Sequence, residues 1–188
     1  MVEAVTIAIR AATAADAAAI ADIYAPYVRT STISFETEPP SPATMAERMT
    51  ASPLHPWLIA TDEDGLVLGY AYATTFKARA AYRWTVETSV YLAGDQRGKG
   101  VGRLLYARLL ATLKTQGYVQ AVAVIALPND WSISMHESVG FRRAGQLREV
   151  GWKSGSWLDI GYWQAELDEP SDPPTEVRAF ADVGVVRA

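Results

Sequence analysis

Two adjoining stretches of this sequence hold residue types and spacings that could do chemistry. Arg97-Gly98-Lys99-Gly100-Val101-Gly102 sets a glycine at every second position and runs into Val101, Leu105, Leu109 and Leu113 at helical spacing. A glycine turn that opens a helix lets backbone N–H groups approach a phosphate with no Cβ in the way. The first helical turn adds unpaired donors and the positive end of its dipole. No Gly-Lys-Ser/Thr closes the turn as in a P-loop, and the third glycine falls too early for a dinucleotide fingerprint. A glycine-rich connection that binds nothing is the alternative. Just upstream, Glu87 lies in a run of apolar and β-branched residues, on one face with Ser89 and Tyr91, while Val86, Thr88 and Val90 turn the other way. A strand carboxylate facing a cleft suits a general base, because an amine near pH 7 is mostly ammonium and cannot attack until it loses a proton. A plain ion pair with Arg79 or Arg83 is the alternative.

Other candidates flank these. His136 ends the run Asn129-x-x-Ser132-x-x-x-His136, and an imidazole gives or takes a proton near neutrality; a helix-surface histidine without a role is the other reading. Asn129 and Ser132 are good ligand donors and equally good helix caps. Lys77, Arg79, Tyr82 and Arg83 crowd the connection before the strand. Guanidinium groups there suit a carboxylate or a tetrahedral oxyanion, unless the patch is only a solvated loop.

The rest of the chain must position these groups. Residues 5–10 alternate and predict a first strand. Thr13-Ala-Ala-Asp16 resembles a capping box, and Ile20, Ile23, Tyr24 and Tyr27 follow at helical spacing until Pro26, which should bend or end that helix. Residues 32–42 read as a proline-stiffened loop, with Ser41-Pro42 capping a second helix through Met45 and Met49. Strands are predicted at 57–61, 66–76, 86–92, 119–127, 141–150 and 157–167, with a short helix after Pro128 that stops at Gly140. From Asp168 the composition turns to Glu-Pro-Ser-Asp-Pro-Pro-Thr-Glu, an extended tail that cannot pack a core. Phe180, Val183, Val185 and Val186 could dock, with no indication where. Trp57, Trp84, Trp152 and Trp157 read as core or interface.

Composition narrows the function. At 188 residues the chain suits one domain, and a net charge of -4 with no basic run interleaved with aromatics argues against nucleic acid. With Cys 0, thiol catalysis and an acyl-cysteine intermediate are excluded, and two histidines leave little for a metal site. No leader pattern or membrane-length apolar run is present, so no membrane and a cytoplasmic location are expected.

Arg97-x-x-Gly100-x-Gly102 is the pyrophosphate-binding signature of the GCN5-related N-acetyltransferases (GNAT), and the chain resembles that family over roughly residues 7–167. Further blocks resemble its phosphinothricin and methionine sulfoximine branch. They are Thr32-Ile-Ser-Phe35-Glu36, the run from Lys77 to Tyr91, Met135-His136-Glu137-Ser138-Val139-Gly140-Phe141, and Trp157-Leu158-Asp159. The resemblance implies an α/β (α+β) single domain over 5–167, with a mixed, mostly antiparallel seven-stranded sheet, about four helices, and a tail at 168–188. It implies acetyl-CoA as co-substrate, no metal, and direct attack of an amino acid analogue's α-amine on the thioester. The implied cofactor residues are Val90, Tyr91, Leu92, Arg97, Gly98, Lys99, Gly100, Val101, Gly102, Arg103, Asn129 and Ser132. Among these, Val90 and Leu92 would offer backbone groups to pantetheine, and the Val90–Tyr91 region would polarise the thioester carbonyl. Glu87 and His136 would share the proton chemistry. Many relatives carry a tyrosine at the histidine's position, which leaves the division of labour open. Phe35 would wall the substrate's methyl group, with Lys77, Arg79, Tyr82 and Arg83 reading its acidic groups. A homodimer is implied. An acetyltransferase for a polyamine or protein N-terminus, and a non-catalytic acyl-CoA sensor, are the alternatives.

Overall fold

Stretches of β-branched, aromatic and small apolar residues pair into one seven-stranded sheet in the computed structural model, which describes residues 7–187 apart from the Asp95 side chain. The strands are β1 (Ala8–Ala11), β2 (Trp57–Thr61), β3 (Val67–Thr75), β4 (Thr85–Leu92), β5 (Gln120–Leu127), β6 (Arg142–Lys153) and β7 (Ser156–Glu166). Their spatial order is β1-β2-β3-β4-β5-β7-β6, antiparallel everywhere except between β4 and β5. The expected mixed sheet is therefore observed. Of the expected first strand, Val5 and Thr6 lie outside the described residues.

Helices α1 (Ala17–Arg29) and α2 (Pro42–Thr50) cover one face of the sheet, and α3 (Val101–Gln116) and α4 (Asp130–Ser138) the other. The start of α1 follows from its sequence. Asp16 accepts from the Thr13 N–H at 2.7 Å and from Arg10 of β1 at 2.8 Å through each carboxylate oxygen. That guanidinium, helped by Thr13, holds the Asp16 carboxyl down at about 2. Pro26 does not end the helix as its type predicts; α1 runs on to Arg29. The ring removes one donor only a turn from the end, and the Pro26 carbonyl still accepts from the Thr30 N–H at 2.9 Å. Burial of Tyr24, Tyr27 and Val28 against the sheet holds the last turn in place. Ser41 caps α2, its hydroxyl accepting from the Thr44 N–H at 3.1 Å.

Val101, Leu105, Leu109 and Leu113 of α3 are all buried, as their spacing predicts, against Leu58, Ala71, Ala73, Val86, Ala121 and Ala123 of the central strands. The alanines let the helix lie close to the sheet. The tail departs from the extended reading in its second half. Arg178 and Gln116 exchange backbone and side-chain hydrogen bonds at 2.8 and 2.9 Å, and the Val186 N–H donates to Thr112 Oγ1 at 3.1 Å. A one-turn helix, α5 (Phe180–Val183), packs Phe180 toward α3. The proline-rich stretch before it is exposed, as its composition requires.

Candidate active site

β4 and β5 pair through only three registers, Thr85 with Gln120, Val86 with Ala121 and Glu87 with Val122. Beyond Glu87 the two parallel strands part. The Trp84 carbonyl accepts from β5, from Val119 N–H at 3.0 Å, so by the period of two Val86, Thr88, Val90 and Leu92 turn their backbone groups to the same side. Val90 thus presents N–H and C=O to the gap, where a thioester carbonyl or an amide-bearing arm can use them. Leu92 does not present its groups freely. The Tyr27 hydroxyl of α1 donates to the Leu92 carbonyl at 2.7 Å and accepts from its N–H at 3.2 Å. Tyr91 points away altogether, its backbone in register with Tyr70 of β3 and its ring packed on Tyr24 and Tyr27 at 4.8 and 5.0 Å.

At the open end of the gap the chain turns through Gly98 at φ 78° and Gly100 at φ 84°, and Gly100 is the N-cap of α3. Both conformations lie in the left-handed region, which strains any residue with a Cβ. Nothing lies within 4 Å of where a Cβ would stand on Gly100, so the space before the helix N-terminus is open to an anion. A cavity of about 550 Å³ joins this turn to the free edge of β4. Of the predicted cofactor residues, Val90, Leu92, Arg97, Gly98, Gly100, Gly102, Arg103, Asn129 and Ser132 line it. Val101 is buried beneath α3 and Lys99 is exposed outside the lining. Tyr27, Ile33, Trp131, Ser134 and Met135 also line the cavity and were not predicted to; Tyr27, Ile33 and Met135 stand in stretches the sequence singles out, but nothing local says that they face a ligand. The Arg97 guanidinium rests over the Tyr27 ring, 5.0 Å from its centroid. Asn129 caps α4, accepting from the Ser132 N–H at 3.2 Å, so a capping role is compatible with a place in the lining.

His136 is not the helix-surface residue of the second reading. It is 4% exposed, with Nδ1 2.7 Å from the Ser132 carbonyl and Nε2 2.9 Å from the Tyr106 hydroxyl. A carbonyl only accepts, so Nδ1 carries the proton and Nε2 accepts from Tyr106. Burial pushes the imidazole pKa down to about 4, against a smaller opposite pull from the Ser132 carbonyl. The ring is neutral at pH 7. Beyond Tyr106 the Thr88 hydroxyl stands at 3.3 Å, so one chain of polar groups links β4, α3 and α4. The end of α4 fixes His136 further, with the predicted Gly140 following it and the Phe141 N–H donating to the His136 carbonyl at 3.1 Å.

Glu87 lies on the opposite face of β4, among the α1 and α2 contacts. It is half-buried, and desolvation raises its carboxyl pKa while nearby Lys77 partly opposes the rise. Being the last β4 residue paired to β5, it stands at the vertex of the gap, where the two faces of the sheet communicate. Lys77 packs over Phe76 at 5.2 Å and Tyr82 meets the same ring edge-on at 5.8 Å; of these, Lys77 is close enough to Glu87 to act on its carboxyl. Arg79 caps the short 3₁₀ turn at Ala80–Tyr82. Arg83 is turned away; it pairs with Glu176 of the tail at 2.8 Å and lies over Trp84, whose Nε1–H donates to the Thr175 carbonyl at 2.7 Å. Phe35 is 39% exposed and seats its ring on Gly151 of β6, where a Cβ would fall 2.2 Å from it. Lys153 anchors that loop by donating to the carbonyls of Val28 and Ser34 at 2.7 and 2.6 Å. Among the described residues no group of three His, Cys, Asp or Glu could hold a metal ion, and no helix is long and apolar enough to cross a membrane.

Comparison with known proteins bears on this arrangement. A family profile described as an acetyltransferase (GNAT) domain matches residues 9–161. A phosphinothricin N-acetyltransferase of Streptomyces viridochromogenes is 44% identical over 176 residues, spanning 93% of this chain and 95% of that protein. An L-methionine sulfoximine/L-methionine sulfone acetyltransferase of Pseudomonas paraeruginosa is 42% identical over 120 residues, 64% of this chain and 70% of that one. Among solved structures, a GNAT superfamily phosphinothricin acetyltransferase from Sinorhizobium meliloti, in complex with AcCoA, superposes with a TM-score of 0.85 at 37% identity, covering 97% of this chain and 100% of that chain.

Proposed function

This chain belongs to the GNAT acetyltransferase family, and from that premise we propose that it is an acetyl-CoA-dependent N-acetyltransferase for the α-amine of a small amino acid analogue: phosphinothricin, methionine sulfoximine or methionine sulfone. The observation that carries the reading is the cavity running from the glycine turn along the free edge of β4; Glu87 stands outside its lining, at the point where β4 and β5 part. The turn at Gly98 and Gly100 with Arg97 and Arg103 receives the pyrophosphate, and Val90, Asn129 and Ser132 receive the pantetheine arm. The Val90 N–H faces the gap where the thioester oxygen gains charge, as an oxyanion donor must.

The proton chemistry falls to the Glu87 face of β4. Glu87 takes one proton from the substrate ammonium; its raised pKa brings it closer to the task than an exposed glutamate would be. The amine lone pair then forms the N–C bond. The C–S bond breaks with its electron pair on sulfur, and the remaining amine proton passes to the thiolate, so the coenzyme leaves as a thiol. His136, with both ring nitrogens engaged, holds the Ser132 turn of α4 against α3. Lys77 and Arg79 hold the substrate's carboxylate and tetrahedral oxygen, and Phe35 walls its methyl group.

The proposal extends to a homodimer in the cytoplasm. Trp152 and Trp157 meet edge-to-face at 5.4 Å on the β6–β7 hairpin and stay exposed, as do Leu147 and Val150; an apolar surface of this kind suits a second copy. Sedimentation of the purified chain against its Trp157→Ser variant tests it, with a monomeric wild type as the contrary result. The activity is tested by coenzyme release with acetyl-CoA and a panel of phosphinothricin, methionine sulfoximine, methionine sulfone, spermidine and a peptide with a free N-terminus. Turnover of the amino acid analogues with spermidine inert is expected. Acetyl-CoA binding without turnover of any amine would make the chain a sensor instead.

A further inference from the structure

Trp131 is the most exposed large apolar side chain among the described residues, at 72%, yet it is part of the cavity lining. It is the second residue of α4, and its ring edge reaches across to the glycine turn. A Cβ built on Gly98 would lie 3.4 Å from Cη2 of the indole and 3.6 Å from Cζ3. The indole therefore bridges the two elements that bound the outer end of the cavity, with most of its surface in water.

The chemistry of the cavity wall changes along its length. The wall along β4 is aliphatic, Val90 and Leu92 joined by Ile33 and Met135, which suits a flexible saturated arm. The glycine turn follows, where positive-φ backbone and the α3 N-terminus suit a diphosphate. An acyl thioester seated with its sulfur at the β4–β5 gap must therefore place whatever follows the diphosphate beyond the turn, on the side where Trp131 lies. In acetyl-CoA that group is an adenosine 3′-phosphate, whose flat base can stack on an exposed indole.

We propose that Trp131 is a stacking platform for the nucleotide base of the acyl donor, and so makes the enzyme prefer full coenzyme A thioesters over shorter pantetheine thioesters. This rests on the acetyl-CoA reading of the cavity. The inner half of the cavity handles the reacting group whatever the donor's outer end, whereas the indole acts only on a donor that carries a base.

The experiment uses two donors, acetyl-CoA and S-acetylpantetheine, with wild type, Trp131→Phe and Trp131→Ala. Base–aromatic stacking is large enough that Trp131→Ala should weaken acetyl-CoA binding, read by titration calorimetry, about tenfold or more, with Trp131→Phe retaining most of the affinity. The KM for S-acetylpantetheine should be the same in wild type and Trp131→Ala. Unchanged acetyl-CoA affinity in Trp131→Ala overturns the proposal. Equal losses for the two donors also overturn it, since the indole would then serve the arm or the fold. A wild type that binds no acetyl-CoA is a different result, and removes the acetyltransferase reading itself.

Discussion

The two faces of β4 are built from different materials. On the α3 side, Val86, Val90 and Leu92 meet leucines and alanines, and the polar groups present, Thr88, Tyr106 and His136, are tied to one another in a buried chain. On the α1 and α2 side, Tyr24, Tyr27, Tyr70, Tyr72 and Tyr91 pack ring against ring, mostly edge-on or tilted. Their rim carries charge: Arg48 donates twice to Glu36 at 2.8 and 3.0 Å, and Tyr24 donates to the same carboxylate at 2.9 Å. The first face is buried and neutral. The second is aromatic and ionisable, and holds, among the described residues, the one carboxylate whose pKa burial has raised. Proton transfer and substrate choice are proposed for that face.

The sharpest way to break this contrast is Glu87→Gln, which keeps the shape and removes the basicity. Turnover should fall by about 10²–10⁴ with acetyl-CoA affinity retained. In the wild type the base is competent only above its raised pKa, so kcat/KM should climb with pH through a value above that of an exposed glutamate, and this limb should vanish in the variant. Persistence of the limb in Glu87→Gln together with its loss in His136→Ala would move the base to the α3 face.

The neutral face makes a prediction of its own about acid. His136 is neutral when folded down to about pH 4, whereas in the unfolded chain it takes a proton near its ordinary 6.5. Between those values the unfolded state binds more protons, so stability falls as pH drops through the window. The loss amounts to about 3 kcal/mol at its lower end. Urea unfolding at pH 7 and pH 4.5 measures it, and His136→Gln should show a shallower dependence. Identical slopes would mean the imidazole is not buried neutral.

The smaller effects separate two cations that flank one short turn. Arg79→Ala should cost about 1.5–3 kcal/mol in kcat/KM for the amino acid analogue and little for its decarboxylated amine, as loss of one charge-assisted contact would. Arg83→Ala should leave both unchanged, since its guanidinium engages Glu176. Its cost in stability should be below about 1 kcal/mol, as for other exposed pairs. Equal kinetic losses from the two variants would place Arg83 in the substrate site after all.

What the sequence determined by itself is the part of the protein in which neighbours in the chain are neighbours in space. The glycine turn, the α3 stripe of Val101, Leu105, Leu109 and Leu113, the Thr13–Asp16 start and the Ser41 cap each span a few residues, so propensity and periodicity suffice to place them. The strand alternation likewise told which residues share a face with Glu87. Tertiary structure decided the rest. That β5 leaves β4 after Val122, that Tyr27 covers the Leu92 edge, that Tyr106 meets His136 and that Arg83 meets the tail are contacts across 30 to 93 residues of chain. No local pattern encodes such pairs. They arise only when burial of the helix stripes and the sheet faces fixes which surfaces meet, because a side chain's partner is set by packing of the whole domain rather than by its own segment.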